Sequence, residues 1–247
     1  MQKVALVTGA GKNIGRSCAI ELAKAGFAVA LVDLSEDGIE ETAALIGAAG
    51  GTASTHIADV ANFKSAQDIV ARVQQRYGQI DFLLNNAGLS NGIGILDINE
   101  EQFDRTISVN LKSCFNYIHH VAPLMLAQKS GRIVSMSSLA ALSGGVTAAI
   151  SKFSYAAAKA GIIGMTRSLA KELGPTIAVN AICPGVIRSE VEAMIGQTSA
   201  EDVVKGNALR RLGTPLDIAN VVVFLATNEP NFITGQALTI DGFQYNA

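Results

Sequence analysis

The chain has 247 residues, 49% hydrophobic and 16% charged, a length and balance suited to one large α/β domain with a well-filled core. A net charge of −2 with no basic cluster argues against nucleic-acid or membrane-surface partners, and apolar runs such as 218–226 are too short to cross a bilayer. Three scattered cysteines (Cys18, Cys114, Cys183) and three histidines (His56, His119, His120) have no metal-ligand spacing, so no metal is expected. The thiols fit buried packing in a reducing cytoplasm.

A first strand is expected over residues 4–8, with no signal peptide ahead of it. A glycine-rich turn leads into a helix at 14–25, and a second strand at 28–33 ends on Asp33. A helix at 37–48, a strand at 53–57 and a helix at 63–77 follow. The chain then gives a strand at 82–85, a long helix over 100–128 and a strand at 132–136. A helix at 155–173, a strand at 177–182, a helix at 215–227 and a final strand at 237–240 complete the pattern. Strands that are apolar on both faces and alternate with helices predict a parallel sheet covered on both sides. The expected fold is a single doubly wound α/β (Rossmann) domain over 1–247, with about seven strands. Residues 186–210 break the alternation at the carboxyl edge of the sheet, where ligands bind in this architecture, and are read as a substrate lid.

Chemistry enters at three places. The turn Thr8-Gly9-Ala10-Gly11-Lys12-Asn13-Ile14-Gly15 lies between the first strand and helix, where glycines let backbone approach a pyrophosphate and a helix N-terminus favours its charge. Any tight strand–helix turn uses glycine, so it is the position that favours a nucleotide. Asp33 stands 18 residues after Gly15, placed to accept from the adenosine ribose hydroxyls and to repel a 2′-phosphate. That points to NAD, with Lys12 as the dissenting residue. Tyr155 and Lys159 share a helix face, and a nearby ammonium favours the phenolate, making a proton-transfer device for an alcohol or ketone. Alone the pair is weak, since aromatic–lysine pairs are common on solvated helix faces.

Together these residues resemble the short-chain dehydrogenase/reductase family along essentially the whole chain. The family's Thr-Gly-x-x-x-Gly-x-Gly turn is similar to residues 8–15, and the resemblance implies cofactor contacts from Gly9, Asn13, Ile14 and Gly15. Its adenine-contacting aspartate resembles Asp59, beside Val60. The Asn-Asn-Ala-Gly motif stands at 85–88, bringing Asn86 and Gly88, and the helix asparagine is similar to Asn110. Pro184-Gly185, Ile187 and Ser189 resemble the nicotinamide-holding segment. Asn13 replaces a glycine, Ser189 replaces the usual threonine, and Asp241-Gly242-Phe243 replaces a double glycine. Ser138 and Tyr155 are 17 residues apart, longer than usual, with extra residues inside 143–152; the interval leaves Ser137 as the alternative to Ser138.

The resemblance implies that Tyr155 is the acid/base, Ser138 hydrogen-bonds the substrate oxygen, and Lys159 tunes Tyr155 and binds the nicotinamide ribose. It further implies that Asn110 holds a water linking Lys159 to solvent, and that the protein is a homo-oligomer, most often a tetramer. Asn91, Lys152 and Arg188 are the candidates for binding a carboxylate or hydroxyls. With NAD they lean toward a small polar alcohol such as a sugar, sugar acid or hydroxy acid. A 3-oxoacyl-carrier-protein reductase is the rival enzyme reading, with Lys129 and Arg132 as carrier-docking candidates. A dinucleotide-binding regulatory protein is the non-enzyme reading, which has no need for all of Asn110, Ser138, Tyr155 and Lys159.

Overall fold

A computed structural model describes residues 2–144, 151–188 and 204–244. The seven strands are β1 (Val4–Thr8), β2 (Ala28–Asp33), β3 (Thr52–Ile57), β4 (Phe82–Asn85), β5 (Gly131–Met136), β6 (Ile177–Pro184) and β7 (Ala237–Ile240). They form one sheet in the order β3-β2-β1-β4-β5-β6-β7, every neighbouring pair parallel. The order reverses between β1 and β4, the crevice where a doubly wound sheet binds ligands at its carboxyl edge.

All five residues of β1 are buried, because the sheet is covered on both faces. Leu6, Leu83 and Ile133 point into one core with Tyr117 and Ile162, whereas Ala5, Leu84 and Val134 point into the other with Leu22 and Ile218. The period of two along the strands thus feeds two separate cores. Leu6 is fully buried, and truncating such a leucine to alanine typically costs about 2–5 kcal/mol.

The helices lying wholly within the described residues are α1 (Asn13–Lys24), α2 (Glu36–Ala48), α3 (Phe63–Tyr77), α4 (Glu100–Ile107), α5 (Ser113–Gln128), α6 (Ala140–Ser143), α7 (Phe153–Glu172) and α8 (Pro215–Thr227). The expected single helix over 100–128 is interrupted by a π-helical turn, Ser108–Lys112, centred on Asn110. The short α6 falls where the sequence pattern gave no periodicity to read. Residues 145–150 of the extra segment and 189–203 of the expected lid lie outside the described residues. Among those described, no helix is long and apolar enough to cross a membrane.

Candidate active site

The nucleotide turn is built by close backbone contacts. Gly9 has φ +66°, and a Cβ there would sit 2.8 Å from Ala87 Cα; a Cβ on Gly15 would lie 1.9 Å from the Gly9 carbonyl oxygen. Asn13, at φ +49°, takes the left-handed conformation that asparagine tolerates better than most residues. Thr8 Oγ accepts from the backbone N–H groups of Asn86 (3.0 Å) and Ala87 (3.2 Å). Asn86 Nδ2 donates back to the carbonyls of Thr8 and Gly9, both at 3.1 Å. Asn86 therefore positions the turn from within. Lys12, at the N-cap of α1, makes no side-chain cap, whereas α2, α3, α4 and α8 begin with Ser35, Asn62, Asn99 and Thr214 caps. The first N–H groups of α1 are thus not taken by a capping side chain, as a diphosphate-binding helix requires.

At the end of β2, Asp33 Oδ2 accepts from Gly11 N (2.9 Å) and Oδ1 from Ser35 N (3.1 Å). Its backbone oxygen accepts from Ala58 N at 3.0 Å, which brings Asp59 alongside. Asp59 in turn accepts from Ala61 N (2.9 Å) and Arg105 Nη1 (2.7 Å). Partial burial pushes the Asp59 carboxyl up, but the Ala61 N–H and the Arg105 guanidinium outweigh it and hold the group below the usual carboxylate range. Val60 is buried, and its carbonyl accepts from Asn116 Nδ2 at 2.9 Å. Sequence reasoning missed Arg105, because nothing in its helix pattern signals a partner 46 residues away.

On the other side of the crevice the catalytic candidates converge. Lys159 is 3% exposed; its Nζ donates to the Met136 carbonyl at 2.7 Å and lies 5.5 Å from the Tyr155 ring centroid. Gly88 threads beside it, since a Cβ there would lie 3.0 Å from Asn110 Oδ1 and 3.5 Å from Lys159 Nζ. The side chain of Asn110 is fully buried and clamps Leu89, donating to its carbonyl (2.8 Å) and accepting from its N–H (3.2 Å). It also donates to the Thr106 carbonyl at 2.9 Å. Both amide ends are therefore engaged by the fold, a role the sequence did not suggest. Ser137 is 2% exposed and its Oγ donates to the Lys159 carbonyl at 2.8 Å, tying the end of β5 to α7. Ser138 is half-buried and accepts from Ala140 N at 3.1 Å, which leaves its proton for another acceptor. Ser137 is thus committed within the fold, and Ser138 is the more exposed of the two.

The substrate candidates divide. Asn91 is 9% exposed; its Nδ2 donates to Thr106 Oγ (2.7 Å) and its Oδ1 accepts from Ile93 N (2.9 Å). Its amide is committed inside the fold, which corrects its selection as a substrate group: a polar residue after a strand end here fastens a loop. Its carbonyl accepts from Lys152 N at 2.7 Å, setting the start of α7. Lys152 and Arg188 are exposed. Ile187 is 1% exposed, its side chain packed in the core, so only its backbone can face a nicotinamide. Ser189 lies outside the described residues. Arg132 caps the last helix, donating to the Leu225 and Asn228 carbonyls and pairing with Glu229. Together with Lys129, the residue that ends α5, it lies at the amino end of β5. In Asp241-Gly242-Phe243, Gly242 has φ +64° and a Cβ there would meet the Asn207 amide at 2.5 Å, so this departure closes a turn against the segment leading to α8. Among the described residues no cluster of three or more His, Cys, Asp or Glu could hold a metal.

A family model described as enoyl-(acyl carrier protein) reductase matches residues 9–242. The 3-oxoacyl-[acyl-carrier-protein] reductase FabG of Thermotoga maritima is 36% identical over 241 residues, 97% of this chain and 96% of that protein. The oxidoreductase UcpA of Salmonella typhimurium is 39% identical over 249 residues, 97% of this chain and 93% of that one. Among solved structures, levodione reductase superposes with a TM-score of 0.92 at 32% identity, covering 99% of this chain and 98% of the other. The actinorhodin polyketide ketoreductase with NADPH gives 0.91 at 31%, covering 100% and 98%.

Proposed function

The chain belongs to the short-chain dehydrogenase/reductase family and is an oxidoreductase acting at CH–OH or keto groups, and we propose that within that family it uses NAD to interconvert a small polar secondary alcohol and its ketone. The observation that carries the cofactor choice is Asp33, whose carboxylate is fixed by Gly11 and Ser35 where an adenosine ribose would end. A charge held there opposes a 2′-phosphate, and this outweighs an exposed Lys12. The NADPH named with the ketoreductase structure belongs to that protein. It is the reason that the cofactor is the first thing to measure.

The residues present fit a nicotinamide dinucleotide. Gly9 and Gly15 leave backbone where a side chain would block it, and the N-terminus of α1, which no side chain caps, would hold the diphosphate. When bound, the cofactor accepts or donates the hydride. The protein supplies the rest. Tyr155 Oη takes the proton of the substrate hydroxyl during oxidation and returns it during reduction, with the Lys159 ammonium beside the ring favouring the phenolate. Ser138 Oγ donates to the same substrate oxygen and stabilises developing charge. Asn110 holds the Leu89 backbone against Lys159, and any water it keeps there must use its main-chain carbonyl or a remaining lone pair.

For the substrate, the exposed cations Lys152, at the start of the Tyr155 helix, and Arg188, after Ile187, favour a carboxylate-bearing sugar acid or hydroxy acid. The second reading is a 3-oxoacyl thioester, favoured by the names of several relatives. An NAD-coupled screen of sugar acids, hydroxy acids, simple alcohols and acyl thioesters separates them. Thioesters as the best substrates would replace the carboxylate reading. A cytoplasmic homo-oligomer, tetramer first, is proposed with the same enzyme. Its support is the exposed stripe of Phe115 and Leu126 on α5, extended by Phe63, which stacks on Phe115 at 5.8 Å.

A further inference from the structure

The turn after β3 is strapped from several directions. Ala58 N donates to the Asp33 carbonyl, Asn116 Nδ2 to the Val60 carbonyl and Lys112 Nζ to the Ala61 carbonyl, at 3.0, 2.9 and 3.1 Å. These contacts fix backbone. Arg105 makes a different one: its Nη1 meets Asp59 Oδ2 at 2.7 Å, while Ala61 N holds Oδ1. The pair is partly exposed, 42% for Arg105 and 36% for Asp59, so a ligand can reach the lone pairs left over. Arg105 also lines a cleft of about 530 Å³ with Glu100, Glu101 and Asp104. Three further carboxylates thus share the cleft that Arg105 lines.

We propose that Arg105 is a positioning residue for the adenine half of the cofactor, holding Asp59 so that the carboxylate accepts from the exocyclic amine and selects adenine over hypoxanthine. The inference rests on the dinucleotide reading above. An ionised carboxylate can only accept hydrogen bonds, so it suits an amine and opposes a carbonyl oxygen at the same ring position. Orientation decides the strength, because a carboxylate free to rotate loses the alignment a good hydrogen bond needs. Arg105 supplies the second fixed point and a charge that keeps Asp59 ionised at lower pH.

The test is equilibrium titration of the full-length protein with NADH, with reduced nicotinamide hypoxanthine dinucleotide, and with reduced nicotinamide mononucleotide, which has no base. Arg105→Ala should lower the affinity ratio of the first to the second by about five- to tenfold, the worth of one ordinary hydrogen bond. Mononucleotide binding should stay unchanged, and Arg105→Lys should restore part of the ratio. The pH below which discrimination disappears should move upward in Arg105→Ala. An unchanged ratio in Arg105→Ala, alongside a lowered one in Asp59→Asn, would overturn the role of Arg105. Equal weakening of all three ligands would reduce it to a structural contact and also overturn it. An unchanged ratio in both variants would displace the base from Asp59 altogether. The dinucleotide reading fails only if the unmodified protein binds NADH no better than the mononucleotide.

Discussion

Gly11 and Asp33 meet at the carboxyl ends of the adjacent strands β1 and β2, with Gly11 N 2.9 Å from Asp33 Oδ2. A Cβ on Gly11 would stand 3.0 Å from that oxygen, so the turn and the carboxylate are fitted to each other. NAD should therefore bind more tightly than NADP. Asp33→Ala should narrow the difference by removing the repulsive charge, as titrations with both cofactors would reveal. Tighter NADP binding by the unmodified protein would transfer the decisive role to Lys12.

Tyr155→Phe keeps the ring over Lys159 and removes only the exchangeable proton. Turnover should fall by about 10²–10⁴-fold, the usual contribution of a general acid/base, while NAD affinity is retained. In the unmodified enzyme the rate of alcohol oxidation should climb with pH as the phenol ionises. Near-normal turnover in the variant would remove Tyr155 from the chemistry.

Lys152→Ala and Arg188→Ala should each raise KM for an acid substrate and leave NAD affinity unchanged, because both side chains are exposed and neither belongs to the nucleotide turn. Steady-state kinetics on the best acid from the screen checks this. If KM is indifferent to both changes, the two cations are ordinary surface charges.

His56, on β3, carries a pH-dependent share of the stability. Burial first, then Arg72 and Arg76, lower its pKa from 6.5 to about 4. Between those values the unfolded chain takes up a proton that the folded one refuses. The stabilising contribution is thus complete above about pH 6.5 and is lost as pH falls toward 4. Melting temperature should drop across that window, and His56→Gln should flatten the drop. Parallel profiles for the two proteins would assign the acid sensitivity to other groups.

The stripe around Phe115 leads to a measurement of mass. Light scattering at micromolar concentration should give a multiple of the 25.7 kDa chain, and Phe115→Lys should shift it downward. A single-chain mass for the unmodified protein would leave that stripe unexplained.

Much of the fold was legible because its signals are local. The strands other than the mostly polar edge strand β3 are largely apolar runs, and each of the seven described lies within two residues of its expected limits. The convergence of Asn110, Tyr155 and Lys159 was legible from a motif set in fixed order. What escaped depends on contacts across the sheet. Asn91 and Arg132 are polar residues whose partners sit on other elements, so no window of sequence distinguishes them from solvated groups. The break in the helix over 100–128 was hidden because its apolar periodicity continues through it. Ser137 and Ser138 differ in side-chain direction at the end of β5, which no spacing reveals: Ser137 Oγ reaches the Lys159 carbonyl, whereas Ser138 Oγ takes the Ala140 N–H.

The π-helical turn at 108–112 makes this region sensitive to chain length. Such a turn is an α-helix carrying one surplus residue, and each residue of a regular helix advances the side-chain direction by about 100°. In the wider turn five residues cover roughly the arc that four cover in a regular helix, so α4 and α5 stay in phase across it while the side chains inside it are redirected. Arg105 and Asn116 reach the same turn from opposite sides of the interruption, and removing its surplus residue would leave both in phase. A one-residue deletion inside 108–112 should therefore spare those two contacts and displace Asn110, whose side chain the wider turn directs at Leu89.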